Sequence, residues 1–166
     1  DKIMPKIWTV AGLMIKSPQT AMYWGSYLMK ICDDTKNLCM QFESVVNEVA
    51  QGIRQIQQCS VMTGRQYNIY CTQNKIYLRQ GNVPAFYKIW VQNGVEVSIR
   101  DNKGKLMTGK NIKFYGTMAP AKAGTIILKH TGLNKEARIT VRVATGKVTV
   151  YYKKDKRGDT WVRQYV

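Results

Sequence analysis

The sequence predicts an α+β fold, one long amphipathic helix laid across antiparallel β-structure, and three observations carry that prediction. Between Asp34 and Met62, apolar residues recur at steps of three and four. After Gly64 the period drops to two, and β-branched and aromatic residues take over. From there on, strand-like runs follow one another, parted by Gly- and Asn-containing turns. A helix followed by such a run implies strands paired antiparallel, with the helix on one sheet face and the other face free to carry Lys and Arg.

Taken in order, residues 1–33 read as an extension of short helical or irregular pieces. Trp8, Tyr23, Trp24 and Tyr27 make it aromatic, while Pro5, Pro18 and Gly25 interrupt any long periodic pattern. Its longest apolar run, Ile7–Ile15, falls short of the roughly 20 residues that span a bilayer. Residues 34–166 read as one globular domain. Asp33 or Asp34 has the chemistry of an N-cap, and Leu38, Phe42, Val45, Val46, Val49, Ile53 and Ile56 then form one stripe. Gln41, Glu43, Asn47, Gln51 and Gln55 fill the opposite side. The helix is predicted over 34–62, ending near Gly64, with Phe42, Val45, Val49, Ile53 and Ile56 as its core face.

Gln66–Cys71 and Lys75–Arg79 predict a hairpin about Thr72, Gln73 and Asn74. Phe86–Val91 and Val95–Arg100 predict a second, turned by Gln92, Asn93 and Gly94. Asn111–Tyr115, Thr125–His130, Ala137–Val143 and Lys147–Tyr152 complete the set. Alternation is cleanest in Arg138–Val143, where Ile139, Val141 and Val143 face one way and Arg138, Thr140 and Arg142 the other.

The run from Asn111 to Gly116 (Asn-Ile-Lys-Phe-Tyr-Gly), then Ala123–Leu128, Ile139–Val141 and Thr145–Val148, resembles the C-terminal half of type IV minor pilins. The likeness is strongest to the pseudopilin H/FimT-like group and the competence pseudopilins, and it covers about residues 38–152. The order is that of a strand ending in Gly, a small-residue loop, a Gly-Thr-Ile strand, an Ile-Thr-Val strand and a Thr-Gly-basic-Val turn. A long helix ending in Gln57-Gln58-Cys59-Ser60 and a Tyr-rich hairpin agree with it. The resemblance implies a pilin-like fold and a secreted subunit that assembles with other pilin subunits into a surface filament. It also implies membrane anchoring through an N-terminal apolar helix. That helix's signature, a basic leader followed by Phe and Glu within an apolar stretch, does not occur in residues 1–33, so the anchor is expected to lie outside this chain.

The chain has 166 residues, with 26 Lys and Arg against 10 Asp and Glu, a formal charge of +16. Residues 1–62 carry a net +1 and residues 63–166 a net +15. With 45% hydrophobic residues this is a folding sequence, not a disordered basic tail. Such asymmetry points to a polyanionic partner: DNA, an anionic polymer or a lipid surface. The sharpest candidate is Tyr151–Tyr165, which interleaves Lys153, Lys154, Lys156, Arg157 and Arg163 with Tyr side chains and Trp161. Cations meet phosphates and rings stack on bases. Arg138, Arg142 and Lys147 on the neighbouring strands extend the set. Some FimT-like minor pilins bind DNA through basic residues near the C-terminus, so the resemblance points the same way. The alternatives are a soluble nucleic-acid-binding domain unrelated to filaments, or a solvated basic end whose Trp161 and Tyr165 pack back onto the core.

Catalytic chemistry has little material. One His, four Cys and no dense acidic cluster argue against an enzyme, and neither metal nor cofactor is expected. Cysteines at 32, 39, 59 and 71 match no zinc spacing. Cys32 and Cys39 on one helix would stand about 10 Å apart, too far for a disulfide. Cys59 and Cys71 would join the helix end to the first strand, either as a disulfide or as buried free thiols. The loop Gly116–Gly124 leads into a strand, not a helix, and so is no P-loop. His130 has no nucleophile or acid beside it in sequence and reads as a strand-end or surface residue.

Overall fold

The structure, a computed structural model, describes residues 18–107, 111–153 and 161–164. The chain divides into two units, Asp1–Met40 and Gln41–Val166. Among the described residues, one helix, α1, runs over Pro18–Thr63. The described residues after it form nine strands: β1 Gln66–Cys71, β2 Lys75–Gln80, β3 Tyr87–Trp90, β4 Val95–Arg100, β5 Asn111–Tyr115, β6 Gly124–His130, β7 Lys135–Val141, β8 Val148–Lys153 and β9 Trp161–Gln164. They form two antiparallel sheets, ordered β3-β2-β1-β5 and β4-β6-β7-β8-β9. The fold class is α+β, as expected.

The helix begins well upstream of Asp34. Pro18 sits at its first residue, where a missing N–H costs nothing and the fixed φ suits the helix. Gly25 is carried through in open space, at about 1 kcal/mol relative to Ala. Neither residue breaks the helix, and Asp33 and Asp34 are interior positions, not caps. The C-terminal boundary falls as predicted. Gly64 adopts φ 63° and donates its N–H to the Ser60 carbonyl at 2.9 Å, a left-handed cap that suits glycine.

Within Gln41–Val166, the helix residues Phe42, Val46, Val49, Ala50, Ile53 and Ile56 are fully buried. Val45, expected in the core, is only partly buried, and Leu38 is exposed; the stripe is centred on Val46. Ile69, Ile76, Leu78, Ile89, Ile112 and Phe114 supply the inner face of the first sheet. Ile99, Ile126, Leu128, Ile139, Val141 and Val150 supply that of the second. At Gly52 α1 comes close to the first sheet: a Cβ there would lie 3.1 Å from Leu78.

Polar contacts fix the lower end of the helix. Buried Gln57 donates from Nε2 to the carbonyls of Met118 (2.7 Å) and Gly146 (2.6 Å), tying α1 to the β5–β6 connection and the β7–β8 turn at once. Gly146 has φ 65°, and any Cβ there would collide with the Met118 carbonyl. Ser60 Oγ donates to the Arg65 carbonyl and accepts from the Gly116 N–H at 2.8 Å.

Three strand expectations are corrected. The second hairpin does not form: β3 pairs with β2, and β4 pairs with β6 in the other sheet. Gln92–Gly94 is therefore a crossing between sheets, closed by the Val95 N–H on the Gln92 carbonyl (3.2 Å). The Thr131 N–H on the Gly94 carbonyl (3.0 Å) ties it to the end of β6. Val143 does not share the inner face of Ile139 and Val141; β7 ends at Val141, and Val143 stands exposed in the following turn. Finally, Trp161–Gln164, not predicted as a strand, pairs with β8 as an edge.

Candidate polyanion-binding face

The outer face of the second sheet follows from its register. Val95, Val97 and Ile99 alternate with Glu96, Ser98 and Arg100 on β4, and the ladders carry this alternation across the sheet. One outward row runs Ser98, Ile127, Arg138, Tyr151, Arg163 over all five strands. Beside it stand Arg100, Thr125 and Thr140, with the two threonine hydroxyls 3.3 Å apart. Lys153 opposite Trp161 continues the face at the β8–β9 end. Arg100, Thr125, Arg138, Thr140, Tyr151 and the Asp101–Gly104 turn border a shallow hollow of about 470 Å³.

Arg138 is held on this face by two partners. Its Cζ lies 3.7 Å from the Trp161 ring centroid, and Nε and Nη2 reach Glu136 Oε1 at 3.4 Å. The ring and the carboxylate together restrain the guanidinium, so less side-chain entropy is lost when an anion meets it. Arg100 donates from Nη1 to the Gly104 carbonyl at 3.3 Å. Glu96 and Glu136 flank the exposed Lys129 at one end of the face, and Arg100, Arg138, Lys153 and Arg163 make up the basic part beyond them.

Of the residues singled out in the sequence, the structure brings Arg138, Lys153, Trp161 and Arg163 onto one surface. Arg142 and Lys147 are exposed in the β7–β8 turn, where the Arg142 N–H bonds the Lys147 carbonyl at 3.1 Å. Lys154, Lys156 and Arg157 lie outside the described residues. Arg100, Thr125 and Thr140 were missed. The alternation of Val95–Arg100 was the signal for Arg100, but without the β4–β6 pairing nothing placed it beside Arg138.

Other chemistry is limited. Cys59 and Cys71 are free thiols, so the disulfide considered for them is not made. Burial pushes the Cys71 thiol up to about 12, which keeps it protonated and unreactive at neutral pH. His130 ends β6 but is buried, not at the surface. Its Nδ1 accepts the Leu133 N–H at 3.1 Å, and its ring meets Phe42 edge-on at 6.2 Å. Among the described residues, no three His, Cys, Asp or Glu side chains converge in a way that could hold a metal ion.

No protein-family model matches the chain, and no curated protein matches it. Among solved structures it is similar to the type IV minor pilin FimU of Pseudomonas aeruginosa, at 9% identity over 64% of this chain and 85% of that one, with a TM-score of 0.49.

Proposed function

We propose that this chain is a pilin-like subunit of a type IV pilus, competence or type II secretion filament, displayed at the cell surface, whose basic sheet face meets DNA or another polyanion. One observation carries the reading: the exposed half of α1. Met22, Tyr23, Trp24, Tyr27, Leu28, Met29 and Ile31 are all exposed, on a helix of 46 residues. Large apolar side chains on every side of a helix need cover, and packing among the helices of neighbouring subunits supplies it. No described helix is long and apolar enough to cross a membrane. The resemblance of residues 38–152 to minor pilins supports the same reading.

Immunogold microscopy of filaments sheared from cells producing the full-length protein tests it. The expected result is label on the filaments; an unlabelled filament fraction with all of the protein elsewhere overturns the assignment. The polyanion part is read by salt dependence. Four phosphate contacts from Arg100, Arg138, Lys153 and Arg163 give a slope of log affinity on log salt of about −3 to −4. A flat response excludes that face as a phosphate-binding surface. DNA binding with the expected slope, combined with absence from filaments, favours a soluble nucleic-acid-binding domain instead.

A further inference from the structure

The outer face of the other sheet, β3-β2-β1-β5, has no part in the function proposed above. Its inner residues are Ile69, Cys71, Ile76, Leu78 and Ile89, so alternation turns Tyr70, Tyr77 and Trp90 outward on three adjacent strands. Trp90 is 65% exposed. Tyr70 and Tyr77 are cross-strand partners with ring centroids 6.2 Å apart. Two of the rings carry a cation of their own: Lys75 Nζ lies 4.1 Å from the Trp90 centroid, and Arg79 Cζ lies 4.7 Å from that of Tyr70. Arg79 is held in place, since its Nε donates to Asn68 Oδ1 at 3.1 Å while Asn68 Nδ2 is anchored on the Gly81 carbonyl at 2.7 Å. Lys88 and Lys113 flank the rings, and no Asp or Glu stands on this face among the described residues.

We propose that this face is a stacking platform for single-stranded nucleic acid. The rings offer π surfaces to bases, and Lys75 and Arg79 offer charge to the phosphates beside them. The Arg79 guanidinium plane extends the stacking surface. Four strands about 4.8 Å apart give room for roughly two or three unstacked bases, as in other four-stranded sheets that bind RNA through exposed aromatics. Charge complementarity requires an anionic ligand. The rings, Trp90 exposed and Tyr70 and Tyr77 half-buried, select among anions, because an anionic polysaccharide has no flat aromatic faces and a duplex hides its own.

Fluorescence anisotropy of a labelled oligothymidylate with the full chain tests the proposal. Tyr77→Ala and Trp90→Ala are each expected to weaken binding about tenfold, while Tyr77→Phe and Trp90→Phe retain it. Removing the second-sheet cations Arg100 and Arg163 is expected to leave this ring dependence intact, which separates the two surfaces. A readout without truncation uses a chain whose Trp8, Trp24 and Trp161 are Phe: the remaining Trp90 fluorescence is expected to be quenched by the oligonucleotide. The proposal is overturned by unchanged affinity after ring removal in folded protein, or by unquenched Trp90. Equal affinity for a duplex of the same length, or heparin binding that depends on the rings as strongly, overturns it too.

Discussion

The two halves of α1 are similarly rich in apolar residues, yet only one builds a core. In the half from Gln41 to Thr63, Phe42, Val46, Val49, Ile53 and Ile56 fall on one stripe, and each is at most 1% exposed. In the half from Pro18 to Met40, Met22, Tyr23, Trp24, Tyr27, Leu28, Met29 and Ile31 occupy every side, and all are exposed. A single sheet covers one stripe of a helix, not its whole circumference. Arrangement, not amount, therefore decides which half belongs to the chain's own core and which is left for partners.

The sharpest test of this contrast is truncation of the buried half. Phe42→Ala is expected to cost about 3–5 kcal/mol of unfolding free energy in urea, because it removes a fully buried ring in T-shaped contact with the His130 ring. A loss below about 1 kcal/mol would mean that α1 is not clasped by the sheets. Next in size is Gln57→Leu, at about 2–3 kcal/mol, since the Met118 and Gly146 carbonyls both lose their donor. Its effect should be confined to stability, with no change in binding at either sheet face.

Alkaline pH separates the buried core from the exposed half of α1 more gently. Burial raises Cys71 from 9.0 to about 12, and Tyr152 is pushed up to about 12 by burial, with the Glu43 charge adding to it. For both, the unfolded chain gives up its proton first. Their contribution is thus complete below pH 9 and is lost as pH climbs toward 12, at roughly 1 kcal/mol per pH unit for Cys71. Cys71→Ala should flatten the fall in urea midpoint between pH 9 and 10.5. Cys32, exposed on the upstream half of α1, should react with a thiol reagent in the folded protein, while Cys71, buried at the end of β1, should react only on unfolding.

How much of this was legible depended on the range of the signal. The stripe from Phe42 to Ile56, the cap at Gly64 and the β1–β2 hairpin are local, and the sequence predicts them. The upstream half of α1 was obscured because Pro18 and Gly25 look like breakers, although proline opens helices well and one glycine in an exposed turn is tolerated. The division into two sheets was not legible. Gln92-Asn93-Gly94 has the composition of a hairpin turn, and only the pairing of Ile89 with Ile76 shows that β3 belongs with β2. The same limit applies to the sites. Arg138, Lys153, Trp161 and Arg163 gather from three consecutive strands, whereas Arg100 joins them, and Trp90 joins Tyr77, only through the sheet ladders.

The smallest stability effect is expected where the exposed half is altered, and there it is the mismatch between two readouts that is informative. Leu28 and Ile31 are 58% and 44% exposed. Replacing both by Ser should change unfolding free energy by no more than about 0.5 kcal/mol, the ordinary range for surface positions. If these side chains serve contacts between subunits, the same double substitution should lower incorporation into filaments and self-association in light scattering by a far larger factor. A loss of stability comparable to that of Phe42→Ala would instead show that this half is packed within its own chain. Unchanged stability with unchanged association would leave the apolar surface without a partner, and the filament reading would lose its main support.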